Sequence, residues 1–151
     1  MSLFATSCRN EELSQTETSN SPSENESFIS ISGKLAQAYV DNATIILDRK
    51  LSGSHRGNCT QDAGEGKTHS DPFGVFSISA SNHDFVICTI GGTYKNSKGD
   101  DVPASPMLAP TPDSSNSAWN VTPLTTLVTT HPELKNKLDE MGGWNADIAS
   151  T

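Results

Sequence analysis

Ala43-Thr-Ile-Ile-Leu-Asp48 is the most β-prone run in the chain, and its reading decides the fold. Thr and Ile branch at Cβ, which suits a pleated surface and disfavours a helix. Ile45, Ile46 and Leu47 are consecutive, so the strand they predict is buried on both faces. Downstream, Arg49 to Ser70 carries almost no large apolar residue after Leu51 and reads as one long polar loop. Phe73-Gly-Val-Phe-Ser-Ile-Ser79 is the second strand, with Phe76 and Ile78 on one face. After a turn at Ser81–Asp84 comes Phe85-Val-Ile-Cys-Thr-Ile90, with Val86, Cys88 and Ile90 on one side, ended by Gly91-Gly92. Upstream, Ile29 and Ile31 alternate with serines, the period of a half-buried strand. Gly33 predicts a bend, Leu35–Val40 a continued extended segment, and Asp41-Asn42 a turn. Strands separated by turn signals predict an all-β fold, an antiparallel β-sandwich. The segments centred near Ile46, Phe76 and Ile87 are expected to stack in two layers around a shared interior.

Beyond Gly92 the pattern is less regular. Lys98-Gly-Asp-Asp101 predicts a turn. Pro103, Pro106, Pro110 and Pro112 exclude a helix and leave only short edge pieces such as Met107-Leu-Ala109. Trp119-Asn-Val121 reads as a last short strand. The period then changes. Thr122 is a helix cap with Pro123 at the first helical position. Leu124, Leu127 and Val128 form a helical stripe, Pro132 separates a second helix, and Gly142-Gly143 stops it. Leu124, Leu127 and Val128 can pack on the sandwich, whereas Leu138, Met141 and Trp144 read as belonging to a further domain. The chain thus divides into a tether (1–27), a β-sandwich domain (28–121) and a short helical segment (122–151), read as the start of a truncated region.

The 151 residues carry a formal net charge of −8. That balance argues against sequence-independent nucleic-acid binding and against electrostatic docking on anionic lipid. No stretch approaches the ~20 apolar residues that span a bilayer. Arg9 to Ser27 is acidic and serine-rich with Leu13 its only large apolar residue, a composition too polar to fold. Ahead of it, Phe4-Ala-Thr-Ser-Cys8 resembles the end of a bacterial lipobox, with Ala5 where leucine is usual. The resemblance implies lipidation of Cys8; a chance cysteine near a terminus is the alternative. None of the three cysteines lies in a CxxC pair. An extracellular setting allows Cys59 to pair with Cys88; otherwise they are unconnected thiols, Cys88 a small core residue.

Taken in order, Ile31-Ser-Gly-Lys34, Ala43–Asp48, Asp62-Ala-Gly-Glu65, Gly74-Val-Phe-Ser-Ile78, Gly91-Gly-Thr93, Leu108-Ala-Pro110 and Val121-Thr-Pro-Leu-Thr-Thr-Leu-Val128 resemble a family of bacterial surface and lipoprotein modules. These have a prealbumin-like or Ig-like sandwich, related in style to carboxypeptidase regulatory domains and adhesin B-type repeats. The last run is the most specific, and the resemblance covers roughly Phe28 to Val128. It implies a loop that can hold calcium with Asp48, Asp62 and Glu65 as ligands, since a hard cation takes carboxylate and carbonyl oxygens around a tight turn. Arg49-Lys-Leu51 departs from that pattern where oxygen ligands belong, and Ser54–Cys59 reads as an insertion. A merely solvated turn is the competing reading.

His55, His69 and His83, with Asp71 and Asp84 nearby, are a second candidate metal set, for zinc or copper, against ordinary exposed loop histidines. Gly64-Glu-Gly-Lys-Thr68 lacks phosphate-loop spacing and reads as a turn. No G-x-S-x-G elbow is present, and Asp100-Asp101 falls in a turn. Tyr94 and Trp119 are candidate stacking residues for a sugar, along with Tyr39 and Trp144; packing in a core or interface is the alternative. These features point to a non-enzymatic structural or interaction module of the cell envelope, whose partner is a protein or glycan. It would be extracellular, with no cofactor beyond that calcium ion, and would reach a membrane only through a lipid anchor. A carbohydrate-binding module and an accessory domain of an exported enzyme are the competing classes.

Overall fold

The computed structural model describes residues 28–49, 58–81, 84–112, 118–141 and 143–145. The expectations for the 1–27 tether, Cys8, His55 and His83 lie outside them.

The fold is mainly β, in antiparallel sheets with few helices. The Ala43–Asp48 run becomes strand β2 (Thr44–Arg49) at the middle of a four-stranded sheet. It pairs on one side with β3 (Lys67–His69) and on the other with β5 (Phe85–Ile90), and β5 pairs in turn with β8 (Met107–Ala109). Flanked on both sides, Ile45, Ile46, Leu47 and Asp48 are all buried. β1 (Phe28–Lys34) and β4 (Val75–Ser81) form a second antiparallel sheet, with Ile31 opposite Ile78 and Gly33 opposite Phe76. A hairpin of β6 (Thr93–Lys95) and β7 (Asp101–Pro103) follows β5. The Asn96 side chain shapes its turn, accepting the N–H groups of Lys98 and Asp100.

Alternation sorts the side chains onto faces. Ile31, Ile45, Leu47, Phe76, Ile78, Phe85 and Ile87 meet in one cluster with Met107, Trp119, Val121, Val128 and Trp144. Ile46 itself lies elsewhere. It joins Val86 and Cys88 in a smaller cluster on the opposite face of the four-stranded sheet. Of the segments expected to share an interior, the one centred on Ile46 therefore contributes its neighbours, Ile45 and Leu47.

Several local expectations are corrected. Leu35–Val40 is a turn, with the Val40 N–H donating to the Leu35 carbonyl at 3.2 Å and the Leu35 N–H to the Gly74 carbonyl at 2.8 Å. Gly33 does not bend the chain. It sits within β1, where an added Cβ would overlap the Trp119 carbonyl. Residues 118–121 run along β1 through parallel bridges, Ser32 to Ala118 and Leu35 to Val121, rather than as a regular strand. The long loop after Arg49 contains β3, which takes up Lys67 and Thr68 of the stretch read as a turn.

Helix α1 (Pro123–Thr130) begins where Thr122 and Pro123 predicted. Thr122 and Thr125 form a reciprocal capping box, each side chain accepting the other's backbone N–H. The buried row of α1 is Thr125 and Val128, with Leu124 packed at the rim of the main cluster and Leu127 exposed. Pro132–Leu134 makes a 3₁₀ turn leading into α2 (Lys135–Glu140). Met141 is exposed, whereas Trp144 is buried edge-to-face against Trp119, their rings 5.4 Å apart.

Candidate functional site

The polar groups predicted to carry chemistry gather on the outer face of the four-stranded sheet, beside the small cluster. β2 turns Ile46 and Asp48 to that face, and its register sets Ile46 opposite Cys88 and Asp48 opposite Val86. The Asp48 carboxylate is fully buried. Its Oδ2 accepts the Cys59 N–H at 2.8 Å and lies 4.0 Å from Cys88 Sγ. Cys59 and Cys88 are joined by a disulfide with Cα atoms 5.4 Å apart, within the usual range for such a bond. Cys59 is itself half-buried in a left-handed backbone conformation, φ 58°. The disulfide thus fixes the segment 58–66 to the sheet at one end.

Glu65 fixes the other end. Its Oε1 accepts the Arg49 N–H at 2.7 Å and its Oε2 the Asp62 N–H at 2.8 Å. The Asp62 carbonyl accepts the Glu65 N–H, and the Leu47 N–H donates to Gly66, which carries the segment into β3. A carboxylate accepting backbone N–H groups makes charge-assisted bonds, about twice as strong as neutral ones. Of the three residues that the resemblance names as ligands, Asp48 lies on β2, and Asp62 and Glu65 lie in the segment ahead of β3. Asp48 and Glu65 aim carboxylate oxygens at backbone N–H donors, and the Arg49 guanidinium donates to the Gly64 carbonyl at 3.0 Å. Among the described residues no group of three or more His, Cys, Asp or Glu side chains is placed to hold a metal ion.

The other candidates are spread apart. His69 is exposed on β3. Asp71 shapes the turn before β4, its Oδ1 accepting the N–H groups of Phe73 and Val75. Asp84 accepts the Thr111 hydroxyl at 3.1 Å. Trp119 does not offer a stacking platform. Its ring is buried against Trp144, and its indole N–H donates to the Pro110 carbonyl at 2.8 Å. Tyr94 packs half-buried at the rim of the main cluster.

Two groups of working side chains were missed. Ser70 is buried, and its hydroxyl accepts the Ala43 N–H and donates to the Val40 carbonyl, bracing the corner before β2. Thr125 and Thr126 of α1 dock on β8, whose other edge carries no strand among the described residues. The Thr125 hydroxyl donates to the Leu108 carbonyl at 2.7 Å, and Thr126 accepts the Leu108 N–H at 2.9 Å. Two adjacent threonines thus close the open edge at Leu108, a position where another chain could otherwise pair. The signal was present in Val121–Val128, but the strand it serves is remote in sequence.

No family model matches the chain, and no curated protein matches it. Among solved structures, the crystal structure of a 9R-lipoxygenase from Cyanothece PCC8801 aligns with 63% of this chain at 15% identity and a TM-score of 0.34. The chain spans 15% of that protein's length, and a likeness this low carries no argument about fold or activity.

Proposed function

We propose that the chain is a non-enzymatic structural or interaction module of a secreted bacterial protein at the cell envelope. The observation that carries this reading is the Cys59–Cys88 disulfide. Such bonds form and persist in oxidising compartments and are rare in reducing ones. The use of the polar groups supports the same reading. Asp48, Glu65, Ser70, Asp71 and Thr125 bind backbone and hold loops and a helix in place. That is the work of a scaffold that presents a surface.

The architecture in this proposal is a sandwich of the Ig-like or prealbumin-like kind. It is supported by the single apolar cluster to which the β1–β4 pair and the inner face of the four-stranded sheet both contribute. The acidic tether would hold the domain off a membrane, with a lipid on Cys8 as anchor and an envelope protein or glycan as partner. No cofactor enters the proposal.

The test is to express the natural precursor in a bacterium, fractionate the cells, and alkylate with and without reductant. The expected result is recovery in the envelope fraction, release by Cys8→Ala, and Cys59 and Cys88 resistant to alkylation until reduced. Recovery in the cytoplasm with both thiols free would overturn the proposal, as would turnover of a substrate by the isolated domain.

A further inference from the structure

The disulfide, the buried Asp48 carboxylate and the segment 58–66 form one device. Cys59 is half-buried while Cys88 is fully buried on a central strand. Cys59 is therefore the more accessible of the two residues to an incoming thiolate. Attack at Cys59 forms a new sulfur–sulfur bond there, breaks the Cys59–Cys88 bond and leaves the electron pair on Cys88 Sγ. A thiol that leaves poorly slows such exchange. Cys88 Sγ must take up that negative charge inside the sheet, 4.0 Å from the Asp48 carboxylate. Both burial and the like charge oppose it.

We propose that residues 58–66 are a redox-clasped strap, opened by a thiol reductant through Cys59, and that Asp48 is the positioning residue that keeps the clasp shut. Asp48 acts twice. Its Oδ2 accepts the Cys59 N–H, which holds the strap's end in place, and it stands beside the sulfur that must leave. The reductant supplies two electrons. Its first thiolate gives a mixed disulfide on Cys59, and a second thiolate resolves this to free Cys59 and oxidised reductant. Opening frees Cys59 from its packing against Ile46, Val86 and Cys88, the small apolar cluster. Glu65, whose bonds to Arg49 and Asp62 do not depend on sulfur, still holds the strap's far end.

The full chain carrying Cys8→Ser is exposed to reduced glutathione under native conditions, quenched, and mapped by mass spectrometry. The mixed disulfide is expected on Cys59; finding it on Cys88 would overturn the route. In the same background Asp48→Asn keeps an acceptor for the Cys59 N–H but removes the charge. It is expected to release thiols on the order of tenfold faster in dithiothreitol. An unchanged or slower rate would overturn the role of Asp48. Hydrogen exchange on the reduced, alkylated chain separates a strap from a general staple. Faster exchange at Cys59 with β2 and β5 still protected is the expected result. Loss of protection throughout, or none at Cys59, would overturn the strap. The glutathione mapping and exchange arms need no variant at Asp48, so they decide the proposal even if that variant does not fold.

Discussion

The two faces of the four-stranded sheet are closed by different physics. On the inner face, Ile45, Leu47, Phe85 and Ile87 meet apolar side chains from β1, β4, β8 and α1 in one large cluster. On the outer face the buried apolar cluster among the described residues is Ile46, Val86 and Cys88, small for the hydrophobic effect to hold a loop. A covalent bond and two buried carboxylates hold segment 58–66 there instead. The comparison teaches that a central strand can be buried on both faces for unequal reasons. The packed face holds by burial of many side chains, and the other by a few specific bonds.

Two substitutions break the comparison from either side. Phe76 is 2% exposed at the centre of the inner cluster, and Phe76→Ala leaves a cavity among side chains from both sheets. A loss of about 3–5 kcal/mol is expected in urea denaturation followed by circular dichroism. Removing the clasp with Cys59→Ala and Cys88→Ala together frees a loop whose cysteines are separated by 29 positions. The chain-entropy relation gives a loss of roughly 3–4 kcal/mol, with the native spectrum retained. If the clasp variant were unfolded while Phe76→Ala remained native, the ranking of the faces would be reversed.

What could be read from sequence follows the same division. β2 and β5 were legible as continuous runs of β-branched and aromatic residues, and β4 by its alternation. β3, β6 and β7 are three residues each, with burial patterns of half-buried centres and exposed ends, and carry no apolar period. They are strands because a neighbour offers an edge, which local sequence does not record. Leu35–Val40 misled for the opposite reason. Its apolar residues are buried, but around a turn. At the candidate site, the resemblance named Asp48, Asp62 and Glu65 but gave no direction for their oxygens. Those directions depend on which N–H groups the fold leaves without a partner.

Helix α1 sharpens the comparison at smaller scale, because its docking mixes both modes. Val128 packs in the main cluster while Thr125, fully buried, works through hydrogen bonds. Thr125→Val keeps the shape but removes the acceptor for the Thr122 N–H and the donor to the Leu108 carbonyl. A buried donor left without a partner costs about 1–3 kcal/mol, so the unfolding free energy from urea denaturation is expected to fall by that amount. A loss near zero would mean that apolar packing alone seats the helix.

The smallest effect is expected at Leu127, the residue that sequence placed on the same apolar stripe. It is 38% exposed, one residue from buried Val128 and two from buried Thr125. The helix seats on β8 through Thr125 and Thr126, and that contact turns the 127 position away from the core. Leu127→Ser leaves those bonds and the capping box in place, and the change in unfolding free energy should stay within about 0.5 kcal/mol. A larger loss would mean that Leu127 is covered in solution, and the hydroxyl-directed orientation of α1 would then be wrong.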